Sequence, residues 1–261
     1  MVVILMAKPT RPGMRKSTRP KPEPTPFVFP MRINKYMALR GISTRRGADG
    51  LIERGFVTIN GVKAILGDKV EREDKVEVRT KGKQKEYVYL AYNKPKGVIT
   101  HSPQHGEQDI KNALKIAGYP SDVAPMGRLD KDSHGLILLT NDGRVTDRLL
   151  NPKSEHEKEY VVKTREDLRS NFKEKMQAGV DIEDYKTKPC FVQIRGKKEF
   201  MITLTEGKKH QIRRMCVALH NDVVDLRRVR IMNIKLGSTP DGGFRPIEGS
   251  ELAEFLRSLG L

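Results

Sequence analysis

Asp130 is the residue of this chain whose setting most invites chemistry. It stands in the stretch GRLDKDSHGLILLTNDG, residues 127–143, between a glycine-initiated turn and the apolar run 136–139. Bounded by Gly135 and by the turn sequence Asn141-Asp142-Gly143, that run reads as a buried strand. A carboxylate on a short loop packed against a buried strand is rigidly placed, and rigid placement is what a nucleophile or general base requires. Ordinary loop chemistry is the alternative, since aspartates also cap and turn a chain. Asp130 and Asp132 could pair as acid and base in an extended segment, where residues two apart share a face. Lys131, Ser133 and Gly135 suggest instead a turning loop in which the two diverge. Paired carboxylates also commonly need a metal or a sequence-distant partner. The histidines are scattered, and neither HExxH nor His-Xaa-Glu with a downstream Pro-Cys-Xaa-Xaa-Cys occurs. No metal site is expected, and a metal-dependent nuclease or a deaminase is set aside.

Two further segments carry reactive side chains. Tyr160 closes EKEY, residues 157–160, and opens a strand-like run; alone it would be an ordinary half-buried strand tyrosine. EGKKHQIRRMC, residues 206–216, opens a helix that repeats Ile212, Met215, Cys216 and Leu219 on one face. Arg213 and Arg214 point away from part of that stripe, which is also how an amphipathic helix with a solvated basic side would look. A last basic cluster, Leu226-Arg227-Arg228-Val229-Arg230, precedes IMNIKL.

The charge balance names a class of partner. Fifty Lys and Arg against 33 acids give the 261 residues a net charge of +17, spread along the chain. The default partner of such a surface is a polyanion, because each neutralised phosphate releases condensed counterions. An anionic membrane surface would want an amphipathic helix with a bulky apolar face, and no strong candidate is present. The opening MVVILM is too short for a secretory apolar core and lacks basic residues before it. Cys190 and Cys216 lack metal or CxxC spacing and read as reduced thiols, so a cytoplasmic protein without a membrane partner is expected.

These residues need elements to hold them. Residues 1–30 contain seven of the 15 prolines and six Lys or Arg, the composition of a disordered basic tail. Such a tail either solubilises the chain or touches RNA phosphate weakly. From residue 31 the pattern becomes helix over 32–40, a second helix capped by Ser43 or Thr44 and ending near Arg54, then a hairpin marked by Asn60-Gly61 and a strand over 75–79. Gly47 and Gly50 fall inside the second helix, each costing about 1 kcal/mol relative to alanine, so tertiary packing must hold it. A polar linker covers 81–86. Beyond it, strands are expected at 87–92, 97–101, 136–140, 159–164, 191–194, 200–205 and 229–236. Helices are expected at 110–117, 145–150, 168–177, 210–220 and 251–259. The lack of regular strand–helix alternation favours an α+β fold with a mostly antiparallel or mixed sheet. The expected domains are 31–80 and 87–261.

The three reactive segments, in this order, resemble the RsuA family of ribosomal RNA pseudouridine synthases over residues 31 to about 259. The helix pair and hairpin of 31–80 resemble the S4 RNA-binding domain. The resemblance makes Asp130, directly after Arg-Leu, the nucleophile that isomerises a uridine without cofactor or metal. It lays Tyr160 against the target base, where an aromatic face restores on the order of 1–3 kcal/mol of stacking. It pairs Arg213 with Asp130, since an adjacent guanidinium favours the charged carboxylate and fixes its orientation. RNA contacts are implied for Arg32, Lys35, Arg40, Arg45 and Arg46 in the S4-like unit. In the catalytic unit they are implied for Arg128, Lys158, His210, Arg214, Leu226, Arg227, Arg228 and Arg230. His210 departs from the family pattern, where another polar residue is more usual. RRMC and RVRIMN point to the subgroup acting on 23S rRNA, near the peptidyl-transferase centre; 16S rRNA and tRNA are the alternative substrates, and the chain is expected to act as a monomer. The rival from another class is a catalytically idle RNA-binding assembly factor, because binding does not imply catalysis.

Overall fold

A computed structural model describes residues 28–79, 86–100, 108–120, 122–151, 154–183 and 185–261, apart from the side chain of Arg46. The tail expected over 1–30 and the linker over 81–86 therefore lie almost wholly outside the described residues.

The chain opens with β1 (Met31–Arg32), α1 (Ile33–Leu39) and α2 (Arg45–Glu53), followed by β2 (Val57–Ile59), β3 (Val62–Lys63), β4 (Lys69–Val70) and β5 (Val76–Val78). Thr44 starts α2 by accepting the Gly47 amide at 3.0 Å. A side chain at Gly47 would drive its Cβ to 2.4 Å from Ser43 Oγ, so the cap itself explains one of the two helix glycines. Asn60 and Gly61 both take positive φ, 51° and 83°, as a two-residue hairpin between β2 and β3 requires. Ile33, Met37, Ala48, Ile52, Val57, Ala64 and Val70 close a small separate core.

The larger unit comprises β6 (Tyr89–Lys94), α3 (Ile110–Ile116), β7 (Ala124–Met126), β8 (His134–Thr140), α4 (Gly143–Leu149), β9 (Lys158–Thr164), α5 (Phe172–Gln177), β10 (Asp181–Ile182) and β11 (Tyr185–Lys186). It continues with β12 (Phe191–Gly196), β13 (Glu199–Leu204), α6 (Gln211–Ala218), β14 (Val223–Ile231), β15 (Ile234–Lys235), β16 (Phe244–Pro246) and α7 (Gly249–Ser258). Nine of its strands form one sheet in the order β12-β13-β9-β14-β8-β6-β16, with β15 added to β14 and β7 to β8. The β14–β8 pair is parallel and the other pairings are antiparallel, so the α+β fold with a mixed sheet is borne out. Three apolar clusters pack this sheet. One lies under α4 and α7, one under α3, and one gathers Val162, Phe200 and Ile202 against Ile212 and Met215 of α6.

Three expectations shift. The run at 97–101 contributes only a bridge from Ile99 to Asp109 within the described residues. The helix expected from 168 begins at Phe172. The strand expected at 229–236 begins six residues earlier, at Val223, and turns at Met232-Asn233 into β15. The whole basic cluster 226–230 therefore lies in the strand, not only its last two residues.

Candidate active site

The loop 127–133 runs from β7 into β8 and carries Asp130. It turns as expected: Ser133 N donates to Asp130 O at 3.1 Å, which separates Asp130 from the exposed Asp132. Three side chains from other segments fix the main chain of this region. Thr100 Oγ1 donates to Leu129 O at 2.8 Å and accepts the Leu129 amide at 3.2 Å. Lys94, wholly buried at the end of β6, donates to Val98 O at 2.8 Å and reaches Lys131 O at 3.4 Å. Arg228 of β14 donates from Nε to Leu136 O at 2.7 Å and from Nη1 to Arg128 O at 3.4 Å. The Asp130 carboxylate itself stays 41% exposed, free to meet a substrate.

Among the described residues, the side chain in ion-pair range of the Asp130 carboxylate is His210, not Arg213. His210 sits at the N-cap of α6 with φ 52°, a left-handed conformation that histidine visits more readily than most residues. Its Nε2 lies 3.6 Å from Asp130 Oδ1, beyond hydrogen-bond length. Arg213 donates instead to Val223 O at 3.1 Å and to Asp132 O at 3.4 Å. The expected Arg213–Asp130 ion pair is thus replaced by a contact with the same loop two residues on. The physical reason is position: Arg213 is one turn inside the helix and leans on the start of β14, whereas His210 stands at its mouth.

Tyr160 lies in a row across three strands: Arg228 is in register with Tyr160 on one side and with Gly135 on the other. Two strand spacings put Tyr160 and Gly135 about 10 Å apart at the main chain. Tyr160 is half-buried against the α6 cluster. Gly135 has φ 100°, and a Cβ there would sit 2.3 Å from Arg228 O, so only glycine allows β8 to close on β14 beside the loop.

The RNA contacts expected in the catalytic unit divide. Arg128 is exposed and Arg227 half-buried, the latter lining a cleft of about 480 Å3 with Glu159, Val229, Arg230 and Lys235. Four others turn inward. Leu226 is a core residue, and Arg228 is only 4% exposed. Arg230 is paired with Glu157 and Glu159, each at 3.0 Å. Arg214 ties α6 to Ile182 O at 2.7 Å and to Glu183 at 2.8 Å. A register shift between Arg228 and Arg230 marks a bulge, which sends two arginines of nominally equal phase to different partners. Lys158 is half-buried and donates to His156 O at 3.1 Å. In the S4-like unit Arg32, Lys35, Arg40 and Arg45 are exposed, as phosphate contacts must be, while the side chain of Arg46 lies outside the described residues.

Electrostatics add a second feature beneath the loop. Burial, reinforced by the charge of Arg228, brings the Lys94 ammonium down to about 8 against the opposing pull of Asp130 and Asp132. Burial and Arg228 also lower Lys158. Burial pushes the Cys216 thiol up to about 12 and Cys190 to about 11, which removes both as nucleophiles. Lys94 and Thr100 are site residues that the sequence patterns do not single out. For Lys94 a signal exists: a lysine before proline at the end of an apolar strand, Tyr92-Asn93-Lys94-Pro95.

The class follows from comparison with known proteins. The family model described as RNA pseudouridylate synthase matches residues 88–218, and that of the S4 domain matches residues 31–76. The chain belongs to the RNA pseudouridylate synthases, isomerases that convert uridine to pseudouridine, and carries an S4 domain ahead of the catalytic fold. Among its relatives, the dual-specificity RNA pseudouridine synthase RluF of Escherichia coli (strain K12) is 39% identical over 231 residues, covering 87% of this chain and 79% of its own. Ribosomal large subunit pseudouridine synthase B of Bacillus subtilis (strain 168) is 34% identical over 240 residues, covering 87% of this chain and 96% of its own. A crystal structure of a pseudouridylate synthase matches with a TM-score of 0.63 at 30% identity, over 87% of this chain and 99% of that one.

Proposed function

We propose that this synthase isomerises a specific uridine of ribosomal RNA, 23S rRNA foremost, with Asp130 as the nucleophile. The observation that carries the reading is an accessible carboxylate on a loop whose carbonyls are gripped from beneath by Lys94, Thr100 and Arg228. Such a loop delivers one group at fixed geometry, which is most of what this chemistry needs from the protein. The C1′–N1 bond breaks, uracil turns, and C1′ bonds to C5; the proton lost from C5 balances the one gained at N1. Tyr160 supplies an aromatic face for the displaced base, and its hydroxyl is available to relay the C5 proton. Arg213 supports the nucleophile through the Asp132 carbonyl, and His210 presents a polar edge to Asp130.

The S4 domain supplies affinity and placement through its exposed cations, and the unit from 87 to 261 supplies the local fit. The Bacillus subtilis relative, a large-subunit pseudouridine synthase, supports a large-subunit substrate, and the dual specificity of the Escherichia coli relative leaves room for a second RNA substrate, for which tRNA is the candidate. Asp130→Asn should bind 23S rRNA fragments as well as the unaltered protein and form no pseudouridine. Product at near wild-type rate from that variant would remove Asp130 from the mechanism. Modification confined to 16S rRNA would overturn the substrate while leaving the reaction.

A further inference from the structure

We propose that Arg228 is a positioning residue for the nucleophile loop: a buried guanidinium that fixes Asp130 by holding the carbonyls on either side of it. This deepens the reading of Asp130 as nucleophile and rests on it. Arg228 belongs to the basic cluster that the family resemblance places on the RNA strand, yet it is 4% exposed and cannot reach an exposed RNA backbone in this arrangement. Its Nε holds Leu136 O at 2.7 Å and its Nη1 holds Arg128 O at 3.4 Å, so the two carbonyls lie six residues after Asp130 and two before it. One rigid planar group thus spans the loop, which a flexible ammonium with a single point charge cannot reproduce.

The surrounding structure is built for that approach. Arg228 is the shared register partner of Tyr160 and Gly135, so the residue that grips the loop also neighbours the aromatic proposed to meet the base. Gly135 lets the loop end close onto the Arg228 main chain. Burying a guanidinium is costly unless its donors are used. Two are used, one on Arg128 O in the loop and one on Leu136 O in β8, and Nη2 is buried without a hydrogen-bond partner among the described residues. Burial, and after it the Arg228 charge, lowers the nearby cations Lys94 and Lys158. The Asp130 and Asp132 carboxylates above are the negative charges acting on Lys94.

The test uses the full-length protein with Arg228→Lys and Arg228→Ala, beside Met176→Ala as a core variant of comparable destabilisation. Met176 is wholly buried in the cluster that also holds Ile212 and Met215 of α6, and its carbonyl accepts hydrogen bonds from Cys190 and Gly179, not from the loop 127–133. Single-turnover pseudouridine formation should fall by about 100-fold in both Arg228 variants, the scale of a misplacement of about 1 Å at a reacting group. RNA affinity should stay within about threefold, since a buried Arg228 neutralises no phosphate. Millimolar guanidinium should restore part of the rate to Arg228→Ala and none to Met176→Ala. Amide exchange should rise across 127–136 in the Arg228 variants alone, a readout that needs no activity. Wild-type rate with unchanged exchange in Arg228→Lys would overturn the proposal, as would a fall in RNA affinity that accounts for the whole decrease in rate. If the unaltered protein formed no pseudouridine, the proposed function would fail separately, and the exchange data would still decide whether Arg228 fixes the loop.

Discussion

At Tyr160 a ring and a hydroxyl offer different chemistry, and the two can be separated. The ring sits half-buried between the α6 cluster and the Arg228 row, a place from which one face can meet a displaced base. Base–aromatic stacking contributes on the order of 1–3 kcal/mol. Tyr160→Phe should therefore turn over within a few-fold of the unaltered protein, whereas Tyr160→Leu should slow by about tenfold or more, measured as single-turnover pseudouridine formation. Equal inactivity of both would make the hydroxyl the essential feature and sink the stacking account. Asp130 and Tyr160 are legible in the sequence because each lies in a short local pattern. The role of Arg228 is not, because it depends on which strand pairs with which and on a bulge. Local sequence cannot tell Arg228 from Arg230, which differ only in where that bulge falls. Arg213 shows the complementary case: the helix is legible, but the partner reached from it depends on how far α6 stands from the loop.

Elements set the geometry that single residues exploit, and the turn from β8 into α4 is the clearest case. Asp142 caps α4 through the Arg144 amide at 3.1 Å, accepts Tyr89 Oη at 2.8 Å and pairs with Arg144 Nη2 at 2.8 Å. Burial alone would raise its carboxyl, but the hydrogen bonds from Arg144 and Tyr89 and the Arg144 charge hold it below the usual carboxylate range. A folded-state pKa lower than the unfolded one adds stability above the unfolded value, about 3.9, and that stability disappears as pH falls through the folded value. Asp142→Asn keeps a good cap but leaves Arg144 without its charge partner, so it should cost about 3 kcal/mol at pH 7. Thermal unfolding at pH 7 and pH 3 should show that deficit shrinking in acid. A deficit equal at both values would mean that Asp142 acts by shape and not by charge. The Asn141-Asp142-Gly143 turn is readable in the sequence, as are the Asn60-Gly61 hairpin and the Thr44 cap, since each is fixed by residues close in the chain. The short strands β7, β10, β11 and β16 are not, because they exist only through pairing that local sequence does not specify.

Among the described residues, the two cores of the molecule meet through a small contact. The S4 core and the three catalytic clusters have no side chain in common, so each unit buries its own apolar surface. They meet where Tyr87 Oη donates to Gly41 O at 2.8 Å, with the Arg144 guanidinium 4.8 Å from the centre of the Tyr87 ring. Gly143, at the start of α4, packs against Ala38 and the Thr44 main chain. The S4 unit therefore docks on the turn that ends β8, the strand leading out of the nucleophile loop. Deleting residues 1–80 should leave the catalytic unit folded, since its three clusters survive intact. Binding to structured 23S rRNA should weaken. The slope of log affinity against log salt should fall by about one for each phosphate no longer neutralised, up to about four for Arg32, Lys35, Arg40 and Arg45. A short stem-loop that reaches only the Asp130 loop should be modified at nearly the full-length rate once saturating. Equal activity of truncated and full-length protein on structured rRNA would remove the S4 unit from targeting. Disappearance of the stem-loop rate as well would instead mean that docking at Gly41 holds the β8–α4 turn, and with it the nucleophile loop, in its working shape.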